Sequence, residues 1–286
     1  MSIMFVTMCN PFDAVWLDKW IRHNEPMVRS RSDLLILIDG INDEMRCLTT
    51  GCSVVDLDIK KRERKSFDGR RMRLILSLVR GFLECHKVVI YTDVDEFLCI
   101  DPGVGESLDA YLLKLETAHK VISAVGIELM YTTGAEEPLD LKRSILQQRP
   151  YGFLSEAYCK PCMFYQPVKR GHMHKIPGEP WVIDRNIYLF HGKFADKKMY
   201  ESRVIDRAKT KKQFNMNGTS MWSQDGAHML FEENRFRFLS SDPMPLKRQY
   251  LEAILQEFEE ERKNSGKVSF RTIGHFEATE AMRRML

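Results

Sequence analysis

The chain has 286 residues, of which 44% are hydrophobic and 29% are charged, and its formal net charge is +3. This composition is typical of a globular protein with a large core, and the small net charge gives no reason to expect a nucleic-acid partner. No apolar run approaches the ~20 residues that a membrane-spanning helix needs.

Seven cysteines, an odd number, lie mostly inside hydrophobic segments. Buried thiols of this kind are typical of reduced cysteines, so we expect a cytoplasmic protein. Residues 1–7 lack the charged start and long apolar stretch of a secretory signal peptide. The basic segment 197–212 could place the protein against the inner face of a membrane, although nothing in the sequence requires it.

The first hundred residues alternate between predicted strands and helices. Apolar runs predict strands at residues 3–9, 34–38, 52–57 and 88–91, and helical spacing predicts helices that begin near Asp13 and at Arg70. This alternation predicts an α/β fold with a mostly parallel sheet and right-handed crossovers. Neither a G-x-G-x-x-G nor a Walker A sequence occurs, which disfavours a dinucleotide enzyme or a P-loop NTPase.

An acidic cluster follows the fourth predicted strand, within the sequence KVVIYTDVDEFLCID. Asp93, Asp95 and Glu96 place three carboxylates in four residues at the carboxyl end of that strand. Their repulsion and desolvation require a compensating cation or raised pKa values. Oxygen ligands suit Mg²⁺ and Mn²⁺, and strand carboxyl ends are where open α/β sheets bind ligands. The pattern therefore predicts a metal site facing a crevice; the alternative is a solvated acidic turn that caps a following helix.

Two further residues follow predicted strands. Asp39 comes directly after the second strand and precedes Gly40, a position suited to holding a ribose or uracil edge, or else a plain turn with a helix cap. His191 follows a strand-like run at 181–190 and precedes Gly192, in parallel with the acidic cluster. A lone histidine is more often a core or surface residue than a ligand, so both interpretations of His191 stay open.

Beyond residue 130 the pattern changes. Residues 131–150 are polar and loop-like, so we expect a nucleotide-binding half at 1–130 and an acceptor half at 131–245. A helical segment at 246–286 would complete one continuous domain. Further elements are predicted as strand-like segments at 160–168 and 181–190, and helices at 197–212 and 246–263.

Several of these segments resemble the family 2-like glycosyltransferases of GT-A fold, in the branch related to GT92. The most specific is Tyr91–Leu98 (YTDVDEFL), which resembles the D-x-D-E-F motif of that branch. Weaker matches follow in the family's order over about 200 residues: Thr7–Asn10, Trp20–His23, Leu37–Asp43, Lys160–Pro161 with His174, and Leu189–Phe194. The chain departs from the family where His191 is followed by Gly192 rather than tyrosine, and where family 2 enzymes carry a Glu-Asp pair.

The resemblance implies a Rossmann-like sheet with a smaller mixed acceptor-side subdomain, and a transferase that moves a sugar from a UDP- or GDP-sugar to an acceptor hydroxyl. Mn²⁺ or Mg²⁺ would be held by Asp93, Asp95 and His191 and would stabilise the diphosphate leaving group. The resemblance implies that three residues bind the nucleotide: Asp39, Arg71 and, through the metal, Asp93. The acceptor would be a glycan or a lipid-linked saccharide.

An inverting reaction needs a base that takes the acceptor proton, and Asp225 and Glu179 are the candidates. Glu96 would instead orient the metal ligands. Two other functions compete with this one. A magnesium-dependent phosphatase of haloacid-dehalogenase type also uses a D-x-D, but on the first strand of its core, whereas three strands precede Asp93. A non-catalytic glycan-binding domain would not need Asp93, Asp95 and His191 to converge.

Overall fold

Within the part of the chain that the structure describes, eleven strands join one sheet and helices pack against it. The structure is a computed structural model and describes residues 2–57, 67–132, 136–171, 174–177, 182–213, 232, 242–265 and 272–286. The strands are β1 (Ile3–Cys9), β2 (Leu34–Ile38), β3 (Ser53–Asp56), β4 (Val88–Tyr91), β5 (Glu96–Ile100), β6 (Val121–Met130), β7 (Tyr151–Ser155), β8 (Pro161–Phe164), β9 (Val182–Phe194), β10 (Met244–Pro245) and β11 (Thr272–Glu277).

The helices lie in the connections between these strands. They are α1 (Ala14–Asn24), α2 (Asp43–Leu48), α3 (Phe67–Phe82), α4 (Leu108–Lys114), α5 (Ile145–Gln148), α6 (Lys197–Gln213), α7 (Arg248–Ser265) and α8 (Glu280–Arg283). Among the described residues, no helix combines the length and the apolar character that crossing a membrane demands.

The N-terminal part of the sheet is parallel, in the order β3, β2, β1, β4. Every residue of β1, β2 and β4 is buried, as expected for strands covered by helices on both faces. Successive side chains of β1 point to opposite faces: Ile3 and Phe5 pack in the cluster that contains Trp20 of α1, and Met4 and Val6 pack in the one that contains Ile75 of α3.

The rest of the sheet is mixed. β8 pairs antiparallel with both β4 and β6. On the other side of β6, β7 pairs antiparallel with β6, and β11 pairs antiparallel with β7. β9 pairs parallel with β6 and antiparallel with β5. The predicted α/β class, with a parallel sheet in the first hundred residues and mixed strands beyond it, is confirmed.

Several predicted elements were wrong or were missed, and β7 and β10 are among the strands that were not predicted. The strand predicted at 181–190 continues through His191 to Phe194, so His191 lies inside β9 rather than after it. β5 was not predicted because its five residues directly follow acids that suggest a turn. β11 was not predicted because TIGHFE has only two strongly apolar residues, and the C-terminus was expected to be helix or tail.

Candidate functional site

The acidic cluster lies in the turn between β4 and β5. The backbone N–H of Glu96 donates to the carbonyl oxygen of Asp93 at 3.0 Å, and the backbone N–H of Asp93 donates to Oε2 of Glu96 at 2.8 Å. Asp95 and Glu96 are buried, and Asp93 is partly exposed. A strand follows the turn, so the alternative of a solvated turn that caps a helix is wrong.

Basic side chains from other elements neutralise this cluster. Arg71 of α3 contacts Asp93, and Arg203 of α6 contacts Asp95. The Nζ atom of Lys160 lies 2.6 Å from Oε1 of Glu96 and 3.5 Å from Oδ2 of Asp93. Each of the three carboxylates therefore has a cation beside it in the folded chain.

These cations decide the ionisation of the two aspartates. Burial by itself would raise the pKa of Asp93, but Arg71 and Lys160 outweigh it and hold that pKa below its ordinary value. Burial likewise opposes ionisation of Asp95, but Arg203 and His191 hold its pKa well below the ordinary value. Both side chains are therefore anionic at neutral pH and available as ligands for a cation.

His191 lies opposite Glu96 in the pairing of β5 with β9. Its Nδ1 is 2.8 Å from Oε1 of Glu128, and its Nε2 is 3.5 Å from Oδ2 of Asp95. The ring stacks on Tyr158, with the centroids 3.9 Å apart. Burial lowers the pKa of His191, but Glu128 and Asp95 outweigh it and raise the pKa to about 9. A histidine held by a carboxylate through one ring nitrogen, with the other facing a second carboxylate, is typical of metal-binding histidines.

The residue types suit a hard divalent ion, because Asp93, Asp95 and His191 offer carboxylate oxygens and an imidazole nitrogen. In the structure, however, Asp93 and Asp95 are held in ion pairs with Arg71, Lys160 and Arg203. Among the described residues, no three His, Cys, Asp or Glu side chains are arranged to hold a metal ion. Metal binding would therefore require the ion pairs to rearrange and His191 to lose the proton on its metal-facing nitrogen.

The residues predicted to contact the nucleotide lie along the same edge of the sheet. Arg71 contacts both Asp93 and the hydroxyl of Tyr91, and its contact with a diphosphate stays a prediction. Asp39 is buried directly after β2, and its backbone N–H donates to the carbonyl oxygen of Cys9 at 3.1 Å. The helix that follows is capped by Asn42, whose Oδ1 accepts from the N–H of Met45, so Asp39 does not serve as its cap. The nucleoside role of Asp39 stays a prediction.

Asp225 and Glu179, the two predicted bases, lie outside the residues that the structure describes. Their role stays a prediction. The residues of the site come from both sides of the boundary predicted at 131–150: the acidic cluster comes from the first half, and Lys160, His191 and Arg203 come from the second.

Sequence analysis missed several members of the site. Glu128 is an acid in the otherwise apolar strand β6, and that isolated charge is the one local signal that could have indicated it. Asp13 was predicted only to lie near the start of a helix, but its Oδ1 lies 3.1 Å from Nε of Arg203 and its side chain makes no capping hydrogen bond to α1. Arg203 lies in a basic helix and carries no local signal that it reaches an active site.

The segment Trp20–His23 supports the acidic turn from α1. The Trp20 Nε1–H donates to Oγ1 of Thr92 at 2.9 Å, directly before Asp93. The Nε2 of His23 lies 2.9 Å from the carbonyl oxygen of Leu98, and its ring packs edge-on against Phe97. The two aromatic side chains of α1 thus fix the chain on both sides of the turn, which gives a structural reason for their presence.

The departure at Gly192 also has a steric cause. A Cβ atom at Gly192 would lie 2.5 Å from Cη2 of Trp16, far closer than such atoms approach. Trp16 of α1 is itself buried and packs against Phe97. The indole therefore occupies the space that any side chain at position 192 would need.

We expect His23 to make the protein sensitive to acid. Burial lowers the pKa of His23 to about 4, against about 6.5 in an unfolded chain. The folded protein favours the neutral form of His23. Its stability is therefore undiminished by His23 above pH 6.5 and falls as the pH drops from 6.5 to about 4. The loss is up to about 3 kcal/mol.

Urea denaturation at pH 7, 5.5 and 4 would test this. The free energy of unfolding of His23→Gln should fall less steeply with acid than that of the wild type. The pKa of His174 is also lowered to about 4, but His174 is present in both proteins and cancels in the comparison. Equal slopes in the two proteins would contradict the assignment.

Comparison with known proteins gives no family. No family model matches the chain, and no curated protein matches it. Partial likenesses to solved structures include mannosyltransferase PcManGT from Pyrobaculum calidifontis, in complex with GDP-Man and Mn²⁺, at 11% identity over 93% of this chain and 76% of that one, with a TM-score of 0.39.

Two others are also glycosyltransferases. The galactosyltransferase LgtC, in complex with donor and acceptor sugar analogs, has 13% identity over 42% of this chain and 46% of that one, with a TM-score of 0.28. Glycosyltransferase GlyE of Streptococcus pneumoniae has 13% identity over 82% of this chain and 44% of that one, with a TM-score of 0.30. In these two comparisons, less than half of the other chain is matched.

Proposed function

We propose that the protein is a metal-dependent glycosyltransferase that uses a nucleotide diphosphate sugar as donor. The observation that carries the proposal is the meeting of Asp95 and His191, which are 96 positions apart in the chain, with Nε2 and Oδ2 3.5 Å apart beside Asp93. A domain that only bound a glycan would not need these ligands to converge. Their place at the carboxyl end of β4, beside parallel strands, is where α/β sheets bind nucleotides.

In the proposed site, Asp93, Asp95 and His191 hold Mn²⁺ or Mg²⁺, and Glu128 orients His191. The ion would stabilise the negative charge that builds up on the diphosphate as the glycosidic bond breaks. Arg71 and Lys160 add positive charge at the same place, in a buried setting where electrostatic interactions are strong.

The transfer requires attack by an acceptor hydroxyl on the anomeric carbon of the donor. The bond from that carbon to the diphosphate breaks, and the hydroxyl proton passes to a base if the reaction inverts configuration. We propose Asp225 or Glu179 as that base and Asp39 as the residue that holds the nucleoside. The acceptor is a glycan or a lipid-linked saccharide, in the synthesis of a glycan or polysaccharide.

The phosphatase alternative is less well supported. Such an enzyme uses the first Asp of its D-x-D as a nucleophile, and here that residue, Asp93, is in contact with both Arg71 and Tyr91. All seven cysteines are free, which agrees with a reducing compartment, and we propose a cytoplasmic enzyme on that basis. Peripheral contact with a membrane through α6 remains a proposal from its basic sequence.

Calorimetric titration with UDP and with GDP, each with and without Mn²⁺, tests the proposal. We expect one nucleotide to bind at micromolar concentration with the ion and to be released by a chelator. Absence of binding to both nucleotides, together with magnesium-dependent release of phosphate from small phosphoesters, would instead indicate the phosphatase.

A further inference from the structure

One guanidinium joins two carboxylates at the candidate site. Nε of Arg203 lies 3.1 Å from Oδ1 of Asp13, and Nη1 contacts Oδ2 of Asp95. Asp13 follows β1 and Asp95 follows β4, which are neighbours in the sheet. The side chain of Arg203 is only 12% exposed, and both carboxylates are buried.

The Asp95 oxygen that Arg203 contacts is also the one that faces His191, the other proposed metal ligand. Oδ2 of Asp95 faces Nη1 of Arg203 and, at 3.5 Å, Nε2 of His191. A divalent ion bound between Asp95 and His191 would lie against the guanidinium, and two cations that close repel each other strongly in a buried setting. The metal and Arg203 therefore compete for this oxygen.

We propose that Arg203 balances the charge of Asp95 in the metal-free protein and must release Asp95 before the metal binds. The donor diphosphate then becomes the new partner of Arg203. The inference rests on the proposed function and adds a mode of regulation to the same site. Without nucleotide, the released guanidinium would pair with Asp13 and no longer with Asp95, and loss of a partner by a buried cation is unfavourable. The competition should therefore make binding of metal and nucleotide mutually dependent.

Contacts hold the start of α6 in place, so the exchange of partners requires only the side chain of Arg203 to move. Oδ1 of Asp196 accepts from the backbone N–H of Met199 at 2.9 Å, and its Oδ2 accepts from the N–H of Leu139, also at 2.9 Å. Tyr200 packs against Phe194 of β9. Arg203 follows less than one turn after Tyr200, and its long, flexible side chain can exchange partners while the helix stays in place.

Mn²⁺ binding without nucleotide tests the inference, with the free ion measured by electron paramagnetic resonance. We expect Arg203→Gln to bind Mn²⁺ at least tenfold more tightly than the wild type, because the competing charge is gone. Nucleotide should also enhance Mn²⁺ binding less in Arg203→Gln than in the wild type. Lys209→Gln is the matched control, since Lys209 is an exposed cation on the same helix that pairs with Asp206 and does not touch the site. Its Mn²⁺ affinity should equal that of the wild type.

An unchanged or weaker Mn²⁺ affinity in Arg203→Gln would overturn the inference. If the wild type still binds UDP or GDP with Mn²⁺ in that case, the proposed function stands and only the competition is refuted. If neither protein binds a nucleotide with Mn²⁺, the proposed function fails and the inference fails with it. Arg203→Met, which keeps the length and apolar stem of the side chain, allows the same measurement should Arg203→Gln not fold.

Discussion

Asp95→Asn is expected to abolish Mn²⁺-dependent nucleotide binding and donor turnover while the protein stays folded. Partners that only orient a metal ligand typically contribute 10- to 100-fold to affinity or activity, so loss of a ligand should cost more than about 100-fold. The fold should survive because the cations around Asp95 keep other partners. Arg203 retains Asp13, and His191 retains Glu128.

Two further variants serve as a control and as a test of a partial effect. Asp18→Asn makes the same chemical change on the exposed face of α1, where Asp18 pairs with Arg22, and should leave nucleotide binding unaltered. Glu128→Gln keeps the contact to His191 but removes its charge, so Mn²⁺ affinity should fall by about 10- to 100-fold. Circular dichroism and thermal unfolding verify that each variant folds. Donor hydrolysis by Asp95→Asn at the wild-type rate would refute the metal site.

The sequence allowed the parallel part of the fold to be predicted because its signals are local. The buried strand β2 is a continuous apolar run, and it was predicted at the bounds that the structure has. The acidic cluster at the end of β4 is equally local. β5 was missed because its partner is β9, where the pairing of Glu96 with His191 joins residues about a hundred positions apart.

The charge balance of the site could not be predicted for the same reason. The acids are close together in the chain, but Lys160 directly precedes β8, and Arg203 lies in α6, more than a hundred residues beyond Asp95. The three clustered carboxylates require a compensating cation, and from the sequence we predicted that a metal ion fills this role. The structure shows that side chains supply part of the compensation, and no periodicity or spacing indicates which basic residues do so.

Lys160→Met is expected to cost about 3–5 kcal/mol of unfolding free energy at pH 7, as removal of one partner from a buried ion pair usually does. Lys160 is 1% exposed, and its Nζ lies 2.6 Å from Oε1 of Glu96. Burial opposes the charge of Lys160, but Glu96 and Asp93 outweigh it and raise its pKa. Lys114→Met is the matched control, because Lys114 pairs with Glu106 at the same 2.6 Å on the surface, where such a pair contributes up to about 1 kcal/mol.

The pH dependence of this loss identifies its cause. Burial already raises the pKa of Glu96, with Lys160 opposing, so without Lys160 that pKa should rise further. The variant would then be most stable when Glu96 is protonated. The contribution of Glu96 to stability would decline as the pH rises through the pKa that Glu96 has in the folded protein. Urea denaturation should therefore show a larger loss in Lys160→Met at pH 8 than at pH 5. The double variant Lys160→Met/Glu96→Gln should recover part of the loss and remove its pH dependence. A loss that is equal at both pH values and unrelieved by Glu96→Gln would mean that Lys160 stabilises the fold by packing rather than by charge.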